Sequence, residues 1–184
     1  MDFRVIHQDH EFEIRPLHVG EAPLLLDAVR SSLAEIGRWE SWCVDSYSLK
    51  EASSFLCSVA SQWAEGSAFD FNVVSLSSGI VLGSVSVNQI NRQNKSGNIG
   101  YWTRTSHAQR GIASLAATAV SRFAFSQLGL TRLEIVAQEE NIPSRRVAER
   151  IGATFECLAR NRLVFRGEPR AATVFSIVPG DLHG

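Results

Sequence analysis

A strand–helix–strand unit set between two stretches of hairpin character is the feature that most limits how this 184-residue chain can fold. Asn98 to Thr103 reads as a strand, and a long helix follows Gly111 with Ile112, Leu115, Ala116, Ala119, Val120 and Phe123 as its apolar stripe. Gly129 lies just past that helix, and Arg132 to Ala137 is again strand-like. Upstream, Phe69 to Leu76 and Ile80 to Ile90 flank the turn Ser77-Ser78-Gly79, which predicts a hairpin. Downstream, a short helix from Asn141 to Ile151 is stopped by Gly152, and a β region runs from Thr154 to Val178. The interleaving predicts an α+β class, a mixed sheet flanked by helices.

The first third of the chain adds a short strand around Phe12, Ile14 and Leu17 and a helix from Gly20 to Arg30. A loop-helix region carries Trp39 and Trp42. Ser48 and Glu51 then form a capping-box pair for a helix that Gly66 ends. No linker or repeat divides the sequence, so one domain over residues 1–184 is expected, with its core at about 10–180.

With 45% hydrophobic and 20% charged residues the composition is that of a globular protein, not of a disordered chain. A formal net charge of −1 provides no global field for a phosphate backbone, which argues against nucleic acid as partner. Cys43, Cys57 and Cys157 lie far apart and make no zinc-ligand spacing, so no metal is expected and a reducing cytoplasm is the natural setting. Met1 to His10 carries charges where a signal peptide needs an apolar run, and no stretch of about 18 apolar residues predicts a membrane span.

The chemistry concentrates at two segments. A helix entered through Gly111, with Arg110 before it and the small residues Ala113 and Ser114 after it, lets an anion approach unsatisfied backbone N–H groups. Gly111 serves equally well as the turn residue that starts the helix. The dinucleotide pattern Gly-x-Gly-x-x-Gly and the P-loop pattern are both absent. Further along, Asn141, Ser144, Val147, Glu149, Arg150 and Gly152 form a second ordered segment in which Asn141 can cap the short helix.

Together these segments resemble the GCN5-related N-acetyltransferases, the GNAT superfamily, and more narrowly its RimJ/RimL-like branch. Ala108-Gln109-Arg110-Gly111-Ile112-Ala113 matches the glycine and the final alanine of the family's Arg/Gln-x-x-Gly-x-Gly/Ala motif, with Ala108 departing from its first position. Asn141, Ser144 and Gly152 match the branch's Asn-x-x-Ser…Gly motif, and Glu156 and Arg160 continue it, whereas Ala153 and Cys157 depart from it. Trp39-Glu40-Ser41-Trp42 resembles the aromatic loop that borders the acceptor site in that branch.

The resemblance implies a mostly antiparallel twisted sheet with a central splayed parallel strand pair, and acetyl-CoA as the acyl donor. The pantetheine arm would lie between the splayed strands, beside Trp102 and Thr103, and Gln109, Arg110, Gly111, Ile112, Ala113 and Ser114 would cradle the pyrophosphate. Asn141 would bond a pantetheine amide, and Ser144 would sit near the thioester sulfur as a weak acid. Trp39, Trp42 and Tyr101 would border the acceptor. A general base is expected among carboxylates, with Glu134 and Glu156 as leading candidates and Glu168 beside them, or else through ordered water. The expected activity is transfer of acetyl to a primary amine, a small molecule or a protein N-terminus, by direct attack in a ternary complex, in a monomer or homodimer. The alternative is a non-catalytic acyl-CoA-binding sensor, since the late β region around Asn161-Arg162-Leu163-Val164 offers no carboxylate.

Overall fold

A computed structural model describes residues 5–182 of the chain. Of the N-terminal stretch read above as lacking a signal peptide, residues 1–4 lie outside the described residues.

Eight strands form one sheet in the order β1-β2-β3-β4-β5-β6-β8-β7. They are β1 (His7–Gln8), β2 (Phe12–Pro16), β3 (Phe69–Ser75), β4 (Val81–Asn91), β5 (Ser96–Thr103), β6 (Arg132–Gln138), β7 (Thr154–Phe165) and β8 (Glu168–Ile177). Every pairing is antiparallel except β5 with β6. The helices are α1 (Ala22–Arg30), α2 (Leu33–Ile36), α3 (Leu49–Glu65), α4 (Ile112–Gln127) and α5 (Ile142–Arg150).

Local sequence accounts for the boundaries. Ser48 caps α3 by accepting from Lys50 N, Glu51 closes the capping box, and Gly66 ends the helix in the left-handed conformation at φ 67°. Two-residue alternation along β3 to β5 gives the sheet two unlike faces. On one, Phe69, Phe71, Val85, Val87 and Ile99 join Ile112, Ala116, Val120 and Phe123 of α4 in the main core. Phe123 packs edge-on against Phe69 and Phe71, at centroid distances of 5.6 and 5.1 Å. The opposite face is polar along its middle, with Asp70 and Asn72 on β3 and Ser84, Ser86 and Asn88 on β4. A second cluster, built from Leu25, Val29, Tyr47, Ala52 and Leu56, takes in Leu17 and Trp102.

One position of the expected α4 stripe differs. Leu115 is exposed, and Ala117 and Ala124 are buried in its place. An Ala-rich helix can seat close to the sheet on its small side chains, which leaves Leu115 to face outward along an open groove.

Candidate active site

β5 and β6 pair only at Ser96, Gly97 and Asn98 with Arg132, Leu133 and Glu134. Beyond those residues the two strands continue to Thr103 and Gln138 without a shared ladder, so they diverge as the sequence reading expected. The edges facing this gap carry main-chain donors and acceptors that an extended chain can pair with.

Tyr101 and Trp102 point to opposite faces. Tyr101 packs against the main core and reaches α5, where its hydroxyl donates to the Ser144 carbonyl oxygen at 2.9 Å and lies 3.1 Å from Ser144 Oγ. Because the tyrosine proton has a carbonyl acceptor, Ser144 Oγ–H is the donor to the Tyr101 oxygen and the proton that can be redirected. Burial pushes the Tyr101 phenol up to about 12, against a smaller opposing effect of the Ser144 bond. Trp102 packs into the second cluster, so its main chain, not its indole, faces the strand gap. Asn141 caps α5 by accepting from Ser144 N at 3.2 Å, which fixes Ser144 one turn into the helix.

The turn before α4 brings Gln109, Arg110 and Gly111 directly onto the helix start at Ile112, Ala113 and Ser114. Gln109 and Gly111 both have positive φ, 63° and 82°. Nothing lies within 4 Å of where a Gly111 Cβ would stand, so the space above the first helical N–H groups is open. From there a groove of about 440 Å³ runs along α4 past Ser114, Leu115 and Thr118 to Arg122, with Arg150 of α5 on its other wall. Arg122 was not singled out in the sequence, and Arg150 only as part of the segment from Asn141 to Gly152. The signal for the first was the spacing of Ser114, Thr118 and Arg122, every fourth residue on one helical face. His107, at the start of this turn, hydrogen-bonds Ser106, and its pKa is lowered by desolvation and by Arg110 and Arg104.

Glu134 and Glu156, the leading base candidates, are held in an ion-pair network instead. Arg132 donates to both Glu156 oxygens, at 2.7 and 2.5 Å, and to Glu134 at 3.0 Å, and Arg162 reaches Glu134 at 3.4 Å. Ser176 adds a bond to Glu156 at 2.7 Å. The Arg132 bonds, then the Ser176 bond, hold the Glu156 carboxyl down at about 2, the reverse of what a proton acceptor near neutrality needs. Glu168 sits exposed at the β7–β8 turn, opposite Phe165.

Trp39 and Trp42 lie on the segment between α2 and α3. The Trp39 carbonyl accepts from Gln138 at the end of β6, and Arg166 of the β7–β8 hairpin bonds Ser41 Oγ and the Gly37 carbonyl. This tethers the loop across the wide end of the strand gap. Trp39 is half-buried, whereas Trp42 is 41% exposed and donates to Glu40 at 3.2 Å. Among the described residues no group of His, Cys, Asp or Glu side chains could hold a metal ion, and no helix is long and apolar enough to cross a membrane.

Residues 11–154 match the family described as the Acetyltransferase (GNAT) domain. A Bacillus subtilis protein provisionally named the ribosomal N-acetyltransferase YdaF is 27% identical over 174 residues, covering 93% of each chain. A Vibrio cholerae structure, provisionally named a ribosomal-protein-serine acetyltransferase, is 34% identical with a TM-score of 0.84, covering 97% of this chain and 98% of that one. The structure of RimL, a ribosomal L7/L12 α-N-protein acetyltransferase in complex with coenzyme A, shares the fold at a TM-score of 0.87 and 21% identity, covering 95% and 98%.

Proposed function

The chain belongs to the GNAT acetyltransferase family, and on that premise we propose that it moves an acetyl group from acetyl-CoA to a primary amine by direct attack while both substrates are bound. The observation that carries this reading is the unpaired run of β5 and β6 beyond Asn98 and Glu134. It leads to the open helix start at Gly111 at one end and to the Tyr101–Ser144 pair within.

When bound, acetyl-CoA supplies an activated acetyl thioester. The strand edges pair with its pantetheine amides, assisted by Asn141, and the α4 N-terminus with Arg110 receives the pyrophosphate. Arg122 and Arg150 line the groove beyond and suit the remaining phosphate and ribose. The residues fit an anionic ligand: the space at Gly111 before the first helical N–H groups is open, and the groove beyond carries two cations.

As the amine nitrogen bonds to the carbonyl carbon, the C–S bond breaks and sulfur takes its electron pair. Ser144 turns its hydroxyl proton from Tyr101 toward that sulfur, stabilising the developing thiolate. Tyr101, anchored on the Ser144 carbonyl, fixes where the hydroxyl starts from. The acceptor enters on the polar face, under the loop with Trp39 and Trp42. Both a protein N-terminus and a small amine suit an opening of this kind, and the names of the relatives point, for those proteins, to ribosomal acceptors. The natural location is the cytoplasm, where acetyl-CoA and reduced thiols coexist.

The test is thiol release from acetyl-CoA over a panel of N-terminal peptides and small amines, with acetylated product identified by mass. Release dependent on both substrates supports the reading, and acetyl-CoA hydrolysis without product contradicts it.

A further inference from the structure

We propose that Asp70 receives, through water lying over Ser86 and Gly100, the proton that the acceptor amine gives up. The inference rests on the acetyl-transfer reading above and names a residue for this step outside the ion-pair network that holds Glu134 and Glu156.

The position follows from sheet register. Asp70 on β3 lies opposite Ser86 on β4, and Ser86 lies opposite Gly100 on β5, so the three form one cross-strand row on the polar face. Gly100 is the first position on that face after β5 and β6 stop pairing at Asn98 and Glu134. It therefore stands where the strand gap opens toward the acceptor side. A side chain at Gly100 would press on Ser86 Oγ at 3.2 Å and Asn88 Nδ2 at 3.4 Å. With glycine there, these polar atoms form the floor beneath an incoming amine. Two strand spacings separate Asp70 from Gly100, roughly 10 Å, which is a water-relayed distance and not a direct contact. Ser86 Oγ accepts from Asn88 Nδ2 at 3.0 Å, and its own proton is available to such a water.

Among the described residues no cation is paired with the Asp70 side chain. On β2, Arg15 is engaged by Glu13 at 2.8 Å and by Glu21 at 2.5 Å, and Glu21 also accepts from Asn72. β4 presents the neutral Ser84, Ser86 and Asn88 on this face. At the end of α3, Glu65 is exposed, and Arg92 beyond β4 donates to the Gly66 carbonyl. Burial alone pushes the Asp70 carboxyl up to about 6, which brings it close to the value at which a carboxylate takes a proton from an ammonium group near neutral pH. The step balances: the nitrogen lone pair goes to the carbonyl carbon, the C–S bond breaks with its electron pair on sulfur, the nitrogen's proton passes through water to Asp70 and then to bulk solvent, and the departing thiolate, hydrogen-bonded by Ser144, takes its proton from solvent.

The experiment is the pH profile of kcat/KM in the thiol-release assay for the wild type, Asp70→Asn, Asp70→Glu and Glu40→Gln. The wild type should show an acid-side limb near 6. Asp70→Asn should lose that limb and about 100-fold in rate at neutral pH, Asp70→Glu should restore part of both, and Glu40→Gln should keep the limb whatever it does to KM. Removing a carboxylate that burial disfavours should leave the Tm of Asp70→Asn at or above that of the wild type above pH 6, which separates a proton-transfer role from a structural one. Asp70→Asn with unchanged rate and limb, or Glu40→Gln without the limb, overturns the proposal. A wild-type protein that binds acetyl-CoA and releases no thiol with any amine overturns the acetyl-transfer reading itself, and this proposal with it.

Discussion

The Tyr101 hydroxyl lies 2.9 Å from the Ser144 carbonyl oxygen and 3.1 Å from Ser144 Oγ, joining β5 to α5 beside the strand gap. Ser144→Ala should lower kcat about 10- to 100-fold with little change in KM, the pattern of an interaction made chiefly in the transition state. Tyr101→Phe should lower kcat by a smaller factor, on the order of 10-fold, by leaving Ser144 unoriented. Since both changes act on one hydroxyl, the double variant should be no worse than Ser144→Ala, and a fully additive loss would show that the two residues act separately.

Gly111→Trp tests the anion cradle. No atom lies within 4 Å of the Cβ position, so the first atom of the side chain is accommodated, and a non-glycine residue at φ +82° costs about 1–2 kcal/mol. Calorimetry should find acetyl-CoA binding abolished in a folded protein. Unchanged affinity would place the pyrophosphate elsewhere.

Much of this architecture was legible in the sequence, because the signals are local. The Ser48–Glu51 box with Gly66, the hairpin around Ser77 to Gly79 and the helix entry at Gly111 each need only a few adjacent residues. The site chemistry was less so. Two-residue alternation separates Tyr101 from Trp102, but it does not say that Tyr101 meets a serine 43 residues away. Nor does it reveal that Arg132 clamps a glutamate 24 residues away and so lowers the Glu156 pKa. Asp70 carries no local sequence signal, since its burial beside Ser86 is a property of the assembled sheet. Leu115 was assigned to the core on helical spacing alone, whereas the alanines of α4 make the contact.

Glu156 makes a prediction about acid stability. Its folded pKa is depressed from 4.5 to about 2, so its contribution is complete above the ordinary glutamate value and disappears as pH falls through that window. Glu156→Gln should be less stable than the wild type at neutral pH, and the two stabilities should converge toward pH 2 in acid-unfolding curves. The acid-side limb of the kcat/KM profile should survive the change. Its loss would return Glu156 to the chemistry.

Trp42 is 41% exposed and bonded to Glu40, on a loop tethered to β6 and the β7–β8 hairpin. Trp42→Ala should raise the acceptor KM and leave acetyl-CoA affinity unchanged, with a stability cost of about 1 kcal/mol or less for so exposed a side chain. Equal loss of both affinities would show that the loop closes over the acyl donor.

Acetyl transfer to an amine is measured by following both products at once: free thiol and the acetyl mass increment on the acceptor, from purified protein, acetyl-CoA and a mixed panel of N-terminal peptides and small amines. One acetylated amine should form for each thiol released, with both signals lost in Gly111→Trp and strongly reduced in Ser144→Ala. Measurable acetyl-CoA affinity with neither product formed across the panel would contradict it and make the chain an acyl-CoA-binding sensor.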